Sequence, residues 1–308
     1  MKTSIGVTLA QAIKHNYKLL RPSLITPEDG LGGQTFIIID GEQRYTAKLY
    51  TNVSTADEVA RFQDILYTAS VPVPAVIANK SGNLVTKLDG GGLVVSVYAD
   101  GLPIGWSKEF ASISRPISFA VAETVARMHK AVMNTGNKTP LDHRINVDRM
   151  IRTDNKLAKD LSTIDLSDVR RTMIHGDLTR ENILLNRSMD SVAAIIDFGD
   201  AHYDYVAFDI ATMLTQVYVT KSWGIDFQGI TNFLAKYNET NELNEDELKA
   251  VLPLMEGRNR ALKKDVSEQI ASKSSDLKVL QSIEQSIESK LKLLETNRPR
   301  LEALIIKS

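Results

Sequence analysis

The sequence predicts an α+β protein of two lobes: a small antiparallel β lobe with one inserted helix, followed by a mainly helical lobe. Three observations lead there. The 308 residues suffice for two separate cores and exceed what one small module needs. The first third consists largely of β-rich runs punctuated by turn signals. Beyond Ala99-Asp100-Gly101-Leu102-Pro103 apolar residues recur mainly at helical spacing. The lobes are therefore expected at residues 1–98 and 99–308.

Within the first lobe, Leu9, Ile13, Tyr17 and Leu20 predict a helix over 8–20 with one buried face. A strand is expected at 23–26, then a turn-forming stretch, Pro27 to Gly33. Gln34 to Ile39 and Tyr45 to Tyr50, around Asp40-Gly41, form a hairpin signal. Residues 55–69 return to helical spacing through Val59, Phe62, Ile65 and Leu66, and Val71-Pro72-Val73-Pro74 ends that helix. Leu84 to Leu88 and Leu93 to Tyr98 flank Asp89 and three glycines as a second strand pair.

The second lobe is expected to hold helices at 117–133, 207–219 and 227–237, with another opening near Asn244, where Asn244 and Glu247 have capping-box spacing. Helicity is interrupted between Arg171 and Asp200, where Met173-Ile174, Ile183 to Leu185 and Val192 to Ile196 are short apolar runs between polar turns. The segment 276–295 places Leu280, Ile283, Ile287, Leu291 and Leu294 on one stripe. It is under three heptads long, which favours a helix packed on its own lobe over a dimer-forming coiled coil.

Composition excludes several classes. A net charge of -1 provides no field to attract nucleic acid. The absence of cysteine rules out disulfides, thiolate catalysis and Cys-based zinc sites, and accords with a reducing compartment. The N-terminus lacks the sustained apolar run of a signal peptide, and no stretch approaches the ~20 apolar residues of a membrane helix. A cytoplasmic monomer or homodimer without membrane or nucleic-acid partners is expected.

The chemistry lies in MIHGDLTRENILLNRSMDSVAAIIDFGDA. Phosphoryl transfer asks a protein for metal ions that neutralise phosphate charge, a group that takes the hydroxyl proton, and a cation that places the nucleotide. Asp177, in a polar turn, is the candidate proton acceptor. Asn182 enters the following strand with an amide oxygen able to ligate magnesium, and Asp197, ending the next apolar run, adds a hard carboxylate ligand. If the two runs form a hairpin, both ligands sit at one end of it. Asp, four residues, Asn, then Asp-Phe-Gly about fifteen residues on matches the protein-kinase signature in spacing, with His-Gly-Asp in place of His-Arg-Asp. His175 follows an apolar pair and reads as a brace for the loop instead of a base.

HGDLTRENIL followed by IIDFGDA resembles the aminoglycoside phosphotransferase and choline kinase-like superfamily, whose signature is HGDxxxxN followed by IDF or IDW. The resemblance extends over nearly the whole chain. It implies a bilobal protein-kinase-like fold, with ATP and Mg2+ as cofactors and an N-terminal nucleotide lobe. In that lobe Gly32 and Gly33 of Gly30-Leu31-Gly32-Gly33 would cover the phosphates. Lys48 would grip the α- and β-phosphates, and Glu58 would pair with it, although Asp57 is adjacent and the register stays open by one residue. Val94 to Tyr98, including Ser96 and Tyr98, would be the hinge strand whose backbone holds adenine. The resemblance further implies that Val121 to His129 is the LAxLH helix, that Asp209 is a structural aspartate, and that Leu252 to Arg258 is similar to late helices of homoserine kinase-like and hydroxylysine kinase-like branches.

No Ala-Pro-Glu follows Asp197-Phe198-Gly199, and the next apolar helix begins near Ala207. That leaves little room for a peptide platform. The expected acceptor is therefore a hydroxyl of a small metabolite: an amino alcohol, a hydroxy amino acid, a choline-like amine, a sugar or an aminoglycoside. A protein Ser/Thr kinase and a catalytically silent nucleotide-binding module are the alternatives. Asp200, His202 and Asp204, in the short loop after Gly199, stand either as a cradle for a cationic amine or as solvated loop residues.

Overall fold

The first sheet is built where the sequence places its β-branched runs. The computed structural model describes residues 2–25, 35–104, 113–133, 145–222, 224–272 and 276–308, which form two compact units. The first comprises Met1–Asp100 with Ala193–Gly199, the second Gly101–Val192 with Asp200–Ser308.

The first unit contains α1 (Lys2–Asn16), β1 (Ser23–Ile25), β2 (Thr35–Asp40), β3 (Gln43–Tyr50), α2 (Val53–Thr68), β4 (Val85–Leu88) and β5 (Gly91–Val97). Its sheet has the order β1-β2-β3-β5-β4, antiparallel throughout. The β2–β3 hairpin closes Asp40 on Gln43, and Gly41 supplies the left-handed backbone (φ 65°) the tight turn needs. Leu9, Ile13 and Tyr17 pack on Phe36, Ile38, Ala47, Leu93 and Val95, while Ala56 and Ala60 of α2 pack on Val85 and Val94.

The first helix ends earlier than its apolar pattern predicts. Leu20 lies outside it and is 90% exposed, because the Leu20 and Arg21 amides turn to the Asp40 carboxylate, at 2.9 and 2.6 Å. Lys80 takes over the helix end, donating from Nζ to the His15 carbonyl at 2.7 Å and from its amide to the Asn16 carbonyl at 2.8 Å.

The second unit opens with β6 (Leu102–Pro103) and α3 (Arg115–Val132), followed by α4 (Val147–Thr153) and α5 (Asn155–Leu161). Then come β7 (Arg171–Ile174), β8 (Ile183–Leu185) and β9 (Val192–Ile195), the last running into the segment that belongs to the first unit. The remainder is β10 (His202–Tyr205), α6 (Val206–Tyr218), β11 (Val219–Thr220), β12 (Gly224–Ile225), α7 (Phe227–Thr240), α8 (Glu245–Ser272), α9 (Leu277–Thr296) and α10 (Arg298–Ile306). β7 pairs with β10, and β6 with β8. Helices α4 and α5 escape the periodicity reading because each spans only seven residues. Their caps, Asn146 and Asp154, are nevertheless formed.

The expected capping box exists. The Glu247 amide donates to Asn244 Oδ1 at 2.8 Å, and the Asn244 amide donates to Glu247 Oε2 at 2.9 Å. Glu247 also receives Arg170 Nε and Nη2, both at 2.6 Å, so one buried carboxylate starts α8 and anchors the segment before β7. Helix α9 packs on its own unit: Leu280 and Ile287 join Val266 of α8 in one apolar cluster, and Leu294 is buried. Ile283 of the same stripe stays 38% exposed. Among the described residues no helix is long and apolar enough to cross a membrane.

Replacing Glu247 by Ala strands Arg170 and opens the cap together. It should lower unfolding stability by about 2–3 kcal/mol, read from urea denaturation, with an Asn244→Ala variant losing only about 1 kcal/mol.

Candidate active site

The turn bearing Asp177 is held from below by a buried acid. Asp209 of α6, fully buried, accepts the His175 amide on Oδ2 at 2.7 Å and the Gly176 amide on Oδ1 at 2.8 Å. His129 Nε2 of α3 reaches Oδ2 at 3.0 Å. Burial opposes a charge here, yet the hydrogen bond from His129 and the nearby His175 outweigh it and hold the Asp209 carboxyl below its ordinary range. A line of polar groups continues outward: Arg170 Nη1 donates to Asn241 Oδ1 at 2.9 Å, Asn241 Nδ2 to the Tyr237 hydroxyl at 2.8 Å, and Tyr237 meets His129 Nδ1 at 2.8 Å.

Gly176 sits at φ +80°, and a Cβ there would lie 2.3 Å from the Asp200 carbonyl oxygen, so the middle position of His-Gly-Asp admits no side chain. His175 is buried, and its Nδ1 accepts the Asp177 amide at 3.3 Å. The ring is part of the turn's frame.

Asp177 emerges from this frame with its side chain 30% exposed. Oδ1 accepts Arg258 Nη2 at 2.8 Å. Asn182 Nδ2 donates to the Asp177 carbonyl at 2.9 Å and to Oδ2 at 3.2 Å. Asn182 thereby commits its nitrogen to the turn, and its Oδ1 takes no hydrogen bond among the described residues. Arg258, on α8, is 5% exposed, and burial lowers its pKa despite Asp177, Asp200 and Asp209 nearby. Its distant origin in the chain hides it from motif reading, although it closes the Leu252 to Arg258 stretch.

In the first unit Asp197 adopts the left-handed conformation, φ 63°, uncommon for a residue with a side chain. Its carboxylate meets the Lys48 ammonium and accepts the Gly199 amide at 3.3 Å. A Cβ on Gly199 would lie 2.5 Å from Lys48 Nζ, so the glycine leaves room for the lysine. Phe198 stands edge-on to Phe62 of α2, with centroids 5.6 Å apart, and the Ile195 amide donates to the Pro72 carbonyl at 2.8 Å. These contacts fasten the Asp-Phe-Gly segment to this unit.

Glu58 does not meet Lys48 here. It is the inward carboxylate of α2, since Asp57 pairs with Arg61 at 2.7 Å on the exposed side. It meets Ser54 Oγ at 3.5 Å, while its Oε2 is buried without a partner among the described residues. Burial raises its pKa, countered by Ser54. Ser96 lies in β5 opposite Thr46 and bridges to Val76. The Tyr98 amide is spent on the Arg44 carbonyl at 3.0 Å, with the Arg44 guanidinium over the Tyr98 ring. Gly32 and Gly33 lie outside the described residues.

The loop after Gly199 corrects one expectation. His202 and Asp204 are neither an amine cradle nor solvated: both are buried in β10. Asp204 accepts the Val147 amide at 2.8 Å and the Tyr205 amide at 2.9 Å, and His202 Nε2 lies 3.2 Å from it. The carboxylate caps α4 instead of facing a ligand.

Residues 23–251 match the model of the APH family, described as a phosphotransferase enzyme family. Among curated proteins, a homoserine kinase of Methylobacillus flagellatus is 26% identical over 238 residues, 71% of this chain and 70% of that protein. A homoserine kinase of Methylobacillus glycogenes is 26% identical over 248 residues, 71% of each chain. Among solved structures, a microcompartment-associated aminopropanol kinase superposes with a TM-score of 0.70 at 16% identity, covering 96% of this chain and 98% of that one. An amicoumacin kinase in complex with AMP-PNP, Ca2+ and Ami gives 0.69 at 16% identity, over 94% and 93%. These structures share the fold.

Asp209 titrates below the unfolded aspartate value of ~3.9, so its contribution is complete above that pH and fades as the pH falls toward its folded-state pKa. An Asp209→Asn variant should be less stable than wild type by about 2–3 kcal/mol at pH 7, and urea midpoints should show that gap narrowing as the pH is lowered through ~4.

Proposed function

Because this chain is a kinase belonging to the phosphotransferase enzyme family (APH), we propose that it transfers the γ-phosphoryl group of ATP to the hydroxyl of a small metabolite, with Asp177 as the base. One observation carries the reading. Asp177 projects from a turn whose backbone is pinned by Asp209 while Arg258 and Asn182 hold its two oxygens. A base fixed on both oxygens and still partly exposed is oriented toward an incoming hydroxyl before that hydroxyl arrives. Asp177 receives the proton as the acceptor oxygen bonds to the γ-phosphorus and the bridging bond to ADP breaks.

The donor set suits magnesium, which takes hard oxygens and one or two protein ligands alongside phosphate. Asp197 offers a carboxylate 49% exposed, and Asn182 an amide oxygen not engaged within the turn. Both would ligate the ion, and Lys48 would hold the nucleotide phosphates. MgATP, when bound, supplies the transferred group and the neutralisation of its charge. Glu58, buried with an unpartnered oxygen, is the carboxylate suited to receive Lys48 when that lysine leaves Asp197 to the metal. Ser96 and Tyr98 are proposed for the adenine-binding strand, and Gly32 with Gly33 for the phosphate loop.

The acceptor we favour is a hydroxy amino acid of the homoserine kind. The two curated relatives, both homoserine kinases, support it.

Asp177→Asn should lower kcat by about 10²-fold or more with MgATP binding nearly unchanged. Asp197→Ala should weaken metal-dependent nucleotide binding about tenfold or more. Coupled-assay kinetics and titration calorimetry with a nonhydrolysable analogue measure the two effects, and wild-type behaviour in both variants would overturn these roles.

A further inference from the structure

Glu256 of α8 is a fully buried carboxylate held by cations from three helices. Its Oε2 accepts Lys156 Nζ of α5 at 2.8 Å, Arg298 Nη1 of α10 at 2.8 Å and Arg260 Nη1 of α8 itself at 3.4 Å, and its side chain has no exposed surface. The first turn of α5 grips the same stretch of α8 at two further points. Asp154, which caps α5 through Oδ1, accepts Arg260 Nε on Oδ2 at 2.6 Å. Gly257 lies against Leu157, where a Cβ would come within 2.9 Å of Leu157 Cδ2. Arg298 is in turn fastened to Asp160 Oδ2 at 3.1 Å and to Glu302 Oε1 at 3.0 Å.

These contacts, at residues 256, 257 and 260, enclose Arg258 along the helix, and Arg258 donates to Asp177 Oδ1 at 2.8 Å. Glu256 and Arg258 stand about 200° apart around the helix axis, so the clamp holds one side of α8 while the opposite side meets the His-Gly-Asp turn. Pro253 within α8 offers no amide to the Lys249 carbonyl, and the clamp falls just beyond that gap in the main-chain ladder. We propose that Glu256 is a positioning residue for phosphoryl transfer: gripped by Lys156 and Arg298, it fixes the rotation of α8 that delivers Arg258 to Asp177. Without its charge, three cations face one another with no carboxylate between them, and α8 shifts as they separate. Asn182 keeps its bond to Asp177 Oδ2, so the base is loosened instead of lost. This role deepens the phosphotransfer reading and rests on it for the reaction, though not for the placing of Arg258.

Steady-state kinetics with MgATP and L-homoserine compare wild type, Glu256→Gln, Arg258→Met and the double variant. Glu256→Gln should lower kcat about tenfold and leave the KM of ATP unchanged. In the Arg258→Met background the same substitution should cost nothing further, because its effect runs through Arg258. Equal losses in the two backgrounds, as a general loss of packing would give, overturn the assignment. So does an unchanged kcat in Glu256→Gln, or a loss that falls on the KM of ATP.

Crystal structures of wild type and Glu256→Gln separate the positioning from the chemistry. Arg258 Nη2 should lie within hydrogen-bond distance of Asp177 Oδ1 in the first and beyond it in the second. An intact contact in Glu256→Gln refutes the positioning even where kcat has fallen. A broken contact in a protein that does not phosphorylate L-homoserine upholds the positioning and rejects the phosphotransfer reading for that acceptor. Should Glu256→Gln unfold at the assay temperature, Lys156→Met, whose lysine side chain is 44% exposed in wild type, is measured by the same two criteria.

Discussion

A single buried carboxylate, that of Asp209, receives two main-chain amides from the His-Gly-Asp turn and a ring nitrogen from α3. A carboxylate inside a protein is tolerated only when its lone pairs are used, so the acid and the turn stabilise each other. If that acid is removed, the two amides become orphan donors in a dry site. The proposed base, the glycine without room for a side chain and the bracing histidine all inherit their positions from this one interaction. The Arg170-Asn241-Tyr237-His129 line extends its reach to α7 and to the start of α8.

A second constraint operates in the first unit, where Asp197 holds a left-handed backbone between Phe198, docked on α2, and Gly199, which clears space for Lys48. Conformational cost is accepted at this position because neighbouring contacts over-determine it. The glycine of the His-Gly-Asp turn thus has a steric reason independent of any ligand, the Asp200 carbonyl oxygen that a Cβ would meet.

The antiparallel sheet, the helical second unit and the Asn244-Glu247 box were legible because each rests on local rules: period-two and helical spacing, turn residues and caps. So was the pairing of Asp177 with Asn182, whose spacing is a property of one continuous stretch. The end of α1 was not legible, since what stops it is Asp40, on a strand that folds back later. Asp204 was misread because acidity in a loop-like stretch says nothing about burial, which depends on β7 and α4. Arg258 was hidden for a related reason. It reaches the turn from α8, and no spacing rule connects residue 177 with a helix some eighty positions away.

The allotment of Ala193–Gly199 to the first unit bears on how the chain is made. During synthesis the ribosome releases β1 to β5 long before the segment that supplies the Ile195 amide, the Phe198 ring and the Asp197 carboxylate. The sheet and α2 can assemble early, but the surface around Phe62 and Pro72 stays incomplete while nearly a hundred intervening residues emerge. Folding from the N-terminus, the usual order for multi-unit proteins, is therefore interrupted here. The first unit to begin is finished only after much of the second has been delivered.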